Sequence, residues 1–180
     1  MNKSILITCF EGINSPSRKL AQAITSKHPY IKSVTLSHSS KTCQNQLQKA
    51  LVELKPEMMV ALGLRKGTKS INLERIAVNI DEKSEDKKIV TDGSAAYFST
   101  LPLQSIYNRL KEKSIPARLS NHAGVQACNY VFYYSQYLIE KLKLNTKMGF
   151  IHIPRISAKG MKLEELVQVF EIILQQVESV

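Results

Sequence analysis

The 180-residue chain contains no tryptophan, only three cysteines and no apolar run near the ~20 residues that a membrane-spanning helix requires. Cys9, Cys43 and Cys128 lie far apart and form no CxxC pair, so the sequence predicts neither a zinc knuckle nor a disulfide framework. The apolar stretch after Met1 is short and is soon followed by Glu11, unlike the core of a signal peptide. We therefore expect a cytoplasmic protein with no membrane association.

The charge is strongly positive but is not concentrated. The formal net charge of +10 would suit a nucleic-acid partner. The cations are instead spread from Lys3 to Lys162, and residues 81–88 mix acids with lysines. Because no cationic run is interleaved with aromatic side chains, we expect a solvated surface and no nucleic-acid partner.

Short apolar runs alternate with amphipathic stretches along the whole chain, which is typical of βαβ units. No repeat or linker divides the sequence, and its length suits one domain. The prediction is a single domain over residues 1–180, built as a three-layer α/β/α sandwich around a mostly parallel, twisted sheet. Strands are predicted at residues 5–10, 31–36, 58–64, 76–80, 116–120 and 149–153. Helices are predicted at residues 15–27, 42–54, 100–113, 128–142 and 163–177, with a charged loop at 81–92.

Cys128 is a candidate nucleophile because it follows a strand and the small-residue turn at 120–124, at the start of a predicted helix. Unpaired N–H groups at a helix N-terminus lower the pKa of a thiol and can stabilise an oxyanion. The alternative is a small buried hydrophobe, as most free cysteines are. Cys43 lies within a polar helix without this setting, whereas Cys9 ends a strand and is predicted to line the same cleft.

A thiol nucleophile needs a base, and the chain has four histidines. His28 and His38 are predicted to be solvated, and His122 could serve either as a base or as a cap of its turn. His152 interrupts the apolar run at 149–154, in a strand that should be central. It is either the base or a hydrogen-bonded core histidine.

The group that orients this base must come from elsewhere in the sequence. Glu74, predicted to stand at a strand entrance, is a candidate carboxylate. The alternative for Glu74 is a surface ion pair with Arg75.

Four segments, taken together and in order, resemble the pyroglutamyl peptidase I family, also called pyrrolidone carboxyl peptidases. They are residues 71–79 (INLERIAVN), 93–102 (GSAAYFSTLP), 120–133 (SNHAGVQACNYVFY) and 149–154 (GFIHIP). The resemblance implies an α/β cysteine peptidase that removes an N-terminal pyroglutamyl residue from peptides. It implies a Cys128 nucleophile, a His152 base and Glu74 as the residue that fixes the imidazole tautomer. It implies no metal and no cofactor, and by analogy a homo-oligomer such as a tetramer.

The departures from the family pattern fall where substrate is bound. The resemblance predicts a pocket lined by Phe10, Ile13, Leu64, Gln126 and Ala127. The family's second Phe in the opening motif is lost near Ile13, and its aromatic two positions before the nucleophile is replaced by Gln126.

Two arginines of the family pattern are also missing. The loop at 63–68 lacks the Arg that ends it in the family, and Lys83 or Ser84 stands near the place of an Arg that supports the oxyanion. We therefore expect weak or altered pyroglutamyl peptidase activity. The alternatives are an amidohydrolase acting on another small N-terminal group, or a non-catalytic, RNA-associated protein of the same fold.

Overall fold

The computed structural model describes residues 3–157 and 160–179 as strands alternating with helices. The strands are β1 (Ile5–Phe10), β2 (Ile31–Leu36), β3 (Met58–Leu64), β4 (Ile71–Glu74), β5 (Ile76–Val78), β6 (Ala96–Phe98), β7 (Ala117–Ser120) and β8 (Lys147–Ile153). The helices are α1 (Pro16–Lys27), α2 (Ser40–Leu54), α3 (Leu103–Glu112), α4 (Ala127–Lys141) and α5 (Leu163–Glu178).

Six strands form the main sheet, in the order β2-β1-β3-β8-β4-β7. Neighbouring strands are parallel except for β4 and β8, which pair antiparallel. β4 and β7 therefore run opposite to the other four strands. β5 and β6 form a separate antiparallel pair. The expected α/β fold with a mostly parallel sheet is confirmed.

Alternating side chains of the central strands pack on opposite faces of the sheet, as the two-residue strand period requires. Ile7, Val60 and Ile151 belong to the core shared with α1, α3 and α5. Leu6 and Phe150 belong to the core shared with α2 and α4. Helices thus cover both faces, which explains why these strands are apolar along their whole length.

The two helices nearest the carboxyl ends of β1 and β3 begin differently. α1 is capped by Ser15, whose hydroxyl accepts a hydrogen bond from Arg18 N at 3.4 Å, and Pro16 occupies its first position. α4 follows Gln126, which makes no side-chain capping bond. The first-turn N–H groups of α4 are therefore left available to a ligand.

The prediction of one strand at 76–80 is wrong in its extent, because the strand there ends at Val78, and it missed β4 before it. The chain forms β4 before it and turns into the separate β5 at Arg75. Polar Asn72 and Glu74 hid β4 from the hydrophobic pattern, although both are fully buried. Glu74 is consequently the last residue of a strand, not the entrance to one.

Candidate active site

Glu74 and His152 form a buried pair that spans two neighbouring strands. In the antiparallel register of β4 and β8, Glu74 lies opposite Phe150 and His152 lies opposite Asn72, so the pair is diagonal and on one face. His152 Nδ1 lies 2.8 Å from Glu74 Oε1. Their side chains are 5% and 0% exposed. The sheet itself therefore fixes the imidazole ring against the carboxylate.

Glu74 does not form the surface ion pair with Arg75 that was its alternative. The exposed Arg75 donates to Asn121 Oδ1 at 3.0 Å. Glu74 Oε1 instead accepts a second, longer bond of 3.4 Å from Arg65 Nη1. Within residues 3–157 and 160–179, Glu74 Oε2 has no hydrogen-bond partner.

Cys128 is the second residue of α4, which packs on the sheet face that carries Phe150. Gly63 of β3 is the cross-strand neighbour of His152. A Cβ added to Gly63 would lie 2.9 Å from Cys128 Sγ and 2.7 Å from the Phe150 ring. The missing side chain at Gly63 is therefore what leaves room for the sulfur. Cys128 Sγ makes no hydrogen bond with any described residue, His152 included.

The predicted direction of the Cys128 pKa is wrong. Burial and the negative charge of Glu74 together raise the pKa of the thiol to about 12, while Arg65 acts in the opposite sense. Packing shields much of the half-buried Cys128 side chain from water, which opposes the effect of the α4 dipole.

A cavity of about 290 Å³ opens directly beside the Cys128 sulfur. Its apolar walls include Phe10, Leu64 and Ala127. His38 also lines it. The cavity lies between the first turns of α1 and α4, at the carboxyl ends of β1 and β3. It can hold a small uncharged group next to the nucleophile.

A second cavity, of about 310 Å³, shares Phe10, His38 and Ala127 with the first. Most of its remaining walls are polar. They comprise Ser37, Ser40, Asp81, Glu82, Lys83 and Gln126, together with Cys43, Val125, Tyr130 and Val131. The Phe10 and His38 rings stack at 5.2 Å with an angle of 6° where the two cavities meet.

The structure places the predicted pocket residues unevenly. Phe10, Leu64 and Ala127 line the cavity beside the sulfur, and Gln126 lines only the second cavity. Ile13 is 92% exposed and lines neither, so the expectation that it forms a pocket wall is wrong. Cys9 belongs to the core on the opposite face of the sheet and does not line the cleft, contrary to prediction.

Sequence reasoning missed two residues of this region. Arg65 contacts Glu74, and the only signal for it was a cation directly after a buried strand. His38 is exposed, as expected, but its ring also stacks on Phe10. His122 takes the role of a turn cap, because its Nδ1 accepts from Gly124 N at 3.0 Å.

No set of three or more His, Cys, Asp or Glu side chains within residues 3–157 and 160–179 is arranged to hold a metal ion. In the same described ranges, no helix has both the length and the apolar character needed to cross a bilayer.

Comparison with known proteins gives consistent matches. The family profile described as "Pyroglutamyl peptidase" matches residues 3–176. A pyrrolidone-carboxylate peptidase of Fusobacterium nucleatum is 32% identical, over 99% of this chain and 94% of its own length. That of Thermosipho melanesiensis is 41% identical over 61% of this chain, and the chain spans 58% of its length.

Solved structures are similar over nearly the whole chain. The pyrrolidone carboxyl peptidase of Thermococcus litoralis is 31% identical with a TM-score of 0.85, covering 97% of this chain and 93% of that one. The pyroglutamyl peptidase I of Bacillus amyloliquefaciens is 25% identical with a TM-score of 0.89, covering 100% and 97%.

Proposed function

The chain belongs to the pyroglutamyl peptidase family, and on that premise we propose that it hydrolyses the amide bond following an N-terminal pyroglutamyl residue. The observation that supports this most directly is the buried Glu74–His152 hydrogen bond on the same sheet face as Cys128. A carboxylate, an imidazole and a thiol in this order form a nucleophilic triad.

In the proposed first step, His152 takes the proton of the Cys128 thiol. The Nδ1–H group donates to Glu74, which leaves Nε2 as the basic nitrogen. Because burial and Glu74 raise the pKa of the thiol, we propose that this transfer accompanies attack on the substrate. The two groups approach hydrogen-bonding distance when substrate binds, as catalytic pairs of unliganded enzymes commonly do.

The sulfur then attacks the carbonyl carbon of the pyroglutamyl residue. The C–N bond breaks as the His152 imidazolium returns its proton to the departing amine. This leaves a thioester on Cys128. A water molecule, deprotonated by His152, hydrolyses the thioester and restores the thiol.

Negative charge develops on the carbonyl oxygen during both attacks. The uncapped first turn of α4 offers backbone N–H groups at Ala127, Cys128 and Asn129. Donors of this kind stabilise an oxyanion by roughly 3–4 kcal/mol each. We propose that this turn forms the oxyanion hole, in the absence of the family Arg near Lys83.

The pyroglutamyl ring is flat and uncharged, so it suits an apolar wall with an aromatic face. Phe10 provides such a face at the junction of the two cavities. We propose that the scissile carbonyl lies at Cys128 and the ring packs beside Phe10.

A second candidate function is hydrolysis of an amide after a different small N-terminal group, with the same triad. The observation that favours it is the polar wall of the second cavity, where Asp81, Glu82, Lys83 and Gln126 stand. These side chains would hydrogen-bond a more polar group than a lactam.

The test is cleavage of a pyroglutamyl aminomethylcoumarin amide by the full chain, alongside prolyl, acetyl-alanyl and alanyl amides. We expect the pyroglutamyl amide to be cleaved and Cys128→Ala to abolish cleavage, because Cys128 is the thiol that lines the cavity between α1 and α4. Cys9→Ala is the matched control, since Cys9 faces the opposite core and its loss should leave turnover intact. Preferential cleavage of another amide supports the second candidate. Turnover that survives Cys128→Ala contradicts the mechanism.

A further inference from the structure

Arg65 joins three separate segments around the triad. It follows β3 directly, and its backbone N–H donates to Ile153 O at 3.0 Å. Its Nη1 donates to Glu74 Oε1 at 3.4 Å and to His122 O at 2.9 Å. His122 lies in the segment that leads from β7 to α4, and so to Cys128. One guanidinium thus connects the carboxylate with the segment that positions the nucleophile.

The positive charge of Arg65 partly offsets the negative charge of the buried Glu74 carboxylate. Glu74 is fully buried, and an ionised carboxylate in this position disfavours a thiolate nearby. Arg65 is the only Lys or Arg that forms an ion pair with Glu74 among the described residues. Arg65 stabilises the buried carboxylate of Glu74. It also opposes the rise that Glu74 causes in the pKa of Cys128.

The other titratable groups around Cys128 are few. Glu74 on β4 and its partner His152 on β8 belong to the same sheet face, while Glu11 and His38 line the cavity of Cys128 from the loops after β1 and β2. The first turn of α4 carries no acidic residue. Arg65 is therefore the cation whose removal should change the ionisation of this group most.

We propose that Arg65 is a positioning residue of the triad, which holds Glu74 and the segment before α4 in place and sets a positive charge beside the buried carboxylate. This inference deepens the proposed function and rests on it for the role of Cys128. It does not depend on the identity of the substrate.

The test is the pH dependence of the alkylation of Cys128 by iodoacetamide, followed by mass spectrometry of the Cys128 peptide in the full chain. Because alkylation requires the thiolate, its rate reports ionisation without any substrate. We compare Arg65→Met, Arg65→Lys and Lys66→Met, the last being an exposed neighbour with no contact to Glu74.

Removing the cation should move the alkylation profile of Arg65→Met to higher pH by roughly half to one unit, with a threefold to tenfold slower rate at pH 7. Arg65→Lys should restore part of the shift, because it keeps the charge but cannot bridge two acceptors in the same way. Lys66→Met should match the wild type. The acid limb of kcat/KM should move in the same direction in the two Arg65 variants and stay in place in Lys66→Met.

An Arg65→Met profile that coincides with the wild type overturns the inference. So does a uniform loss of activity at all pH values without any shift, since that result indicates a structural role alone. If Arg65→Met fails to fold, the alkylation profiles of Arg65→Lys and Lys66→Met are compared. Coincident profiles for these two variants then overturn the inference. A wild-type chain that does not cleave pyroglutamyl amides contradicts the proposed function, while the alkylation profiles still decide the role of Arg65.

Discussion

The proposed base and its carboxylate stand on strands, whereas the walls of the proposed substrate pocket stand mostly on loops. His152 and Glu74 are almost wholly buried and held by the register of β8 and β4. By contrast, Ile13 and Gln126 are exposed, and His38, Asp81 and Glu82 belong to connecting segments. Side chains on paired strands cannot move independently, while loop residues can change without disturbing the sheet. Chemistry and substrate choice are therefore separable in this molecule.

The largest expected effect comes from breaking the strand-borne pair. Glu74→Gln keeps the shape of the side chain but allows its amide to donate to His152 Nδ1. That would hold the proton on Nε2 and prevent it from accepting the thiol proton. We expect kcat to fall by about 10²- to 10⁴-fold, measured with the pyroglutamyl amide.

The matched control for Glu74→Gln is Arg75→Gln, an exposed neighbour that contacts Asn121. It should retain wild-type kcat. A Glu74→Gln enzyme that is folded and keeps more than about a tenth of wild-type kcat would contradict the role of the carboxylate.

A smaller effect of opposite sign is expected from the loop-borne pocket. Gln126→Phe places an aromatic ring at the second cavity, where the family pattern has one. Stacking on a flat lactam should lower KM for the pyroglutamyl amide by roughly threefold to tenfold with little change in kcat. Gln126→Leu adds apolar surface without a ring and separates stacking from hydrophobicity. A rise in KM for Gln126→Phe would indicate that the polar wall itself recognises the substrate.

The smallest effect is expected far from both regions, where Glu171 of α5 pairs with His28 and Lys27 at the end of α1. Burial favours the neutral carboxyl, but hydrogen bonds from His28 and Lys27 outweigh it, so the pKa of Glu171 is lowered. Its stabilising contribution is therefore complete above the unfolded-state pKa, near 4.5. The contribution is lost as the pH falls through the lower folded-state value.

Glu171→Gln should lower the free energy of unfolding by about 0.5–1 kcal/mol at pH 7, because the pair is partly exposed. The difference from wild type should shrink below about pH 4, as measured by denaturant unfolding at several pH values. Activity at pH 7 should not change. If the difference in the free energy of unfolding grows as the pH falls, the pKa of Glu171 is raised in the folded protein and not lowered.

The hydrophobic pattern predicted the uniformly buried strands β1 and β3 and the amphipathic helix α5. It could not predict β4, because Asn72 and Glu74 are polar, and the partners of Asn72 Oδ1 and Glu74 Oε1 stand on other segments. The reversed direction of β4 relative to β8 is a property of the assembled sheet and has no local signal.

For the candidate site, too, the sequence predicted which residues are involved but not the contacts around them. Motif order pointed to Cys128, His152 and Glu74, and these three lie on one face of the sheet. The raised pKa of the thiol and the contact of Arg65 with Glu74 depend on what packs around them. Neither could be derived from spacing along the chain.

The position of β8 between β3 and β4 has a consequence for the order of folding. β8 is the last strand in sequence but lies in the middle of the sheet, so the earlier strands stay divided into two groups until it is inserted. The Glu74–His152 bond closes a separation of 78 residues at that moment. A growing chain therefore cannot form the Glu74–His152 pair until β8 has been made, and the proposed activity would appear only after these long-range contacts have formed.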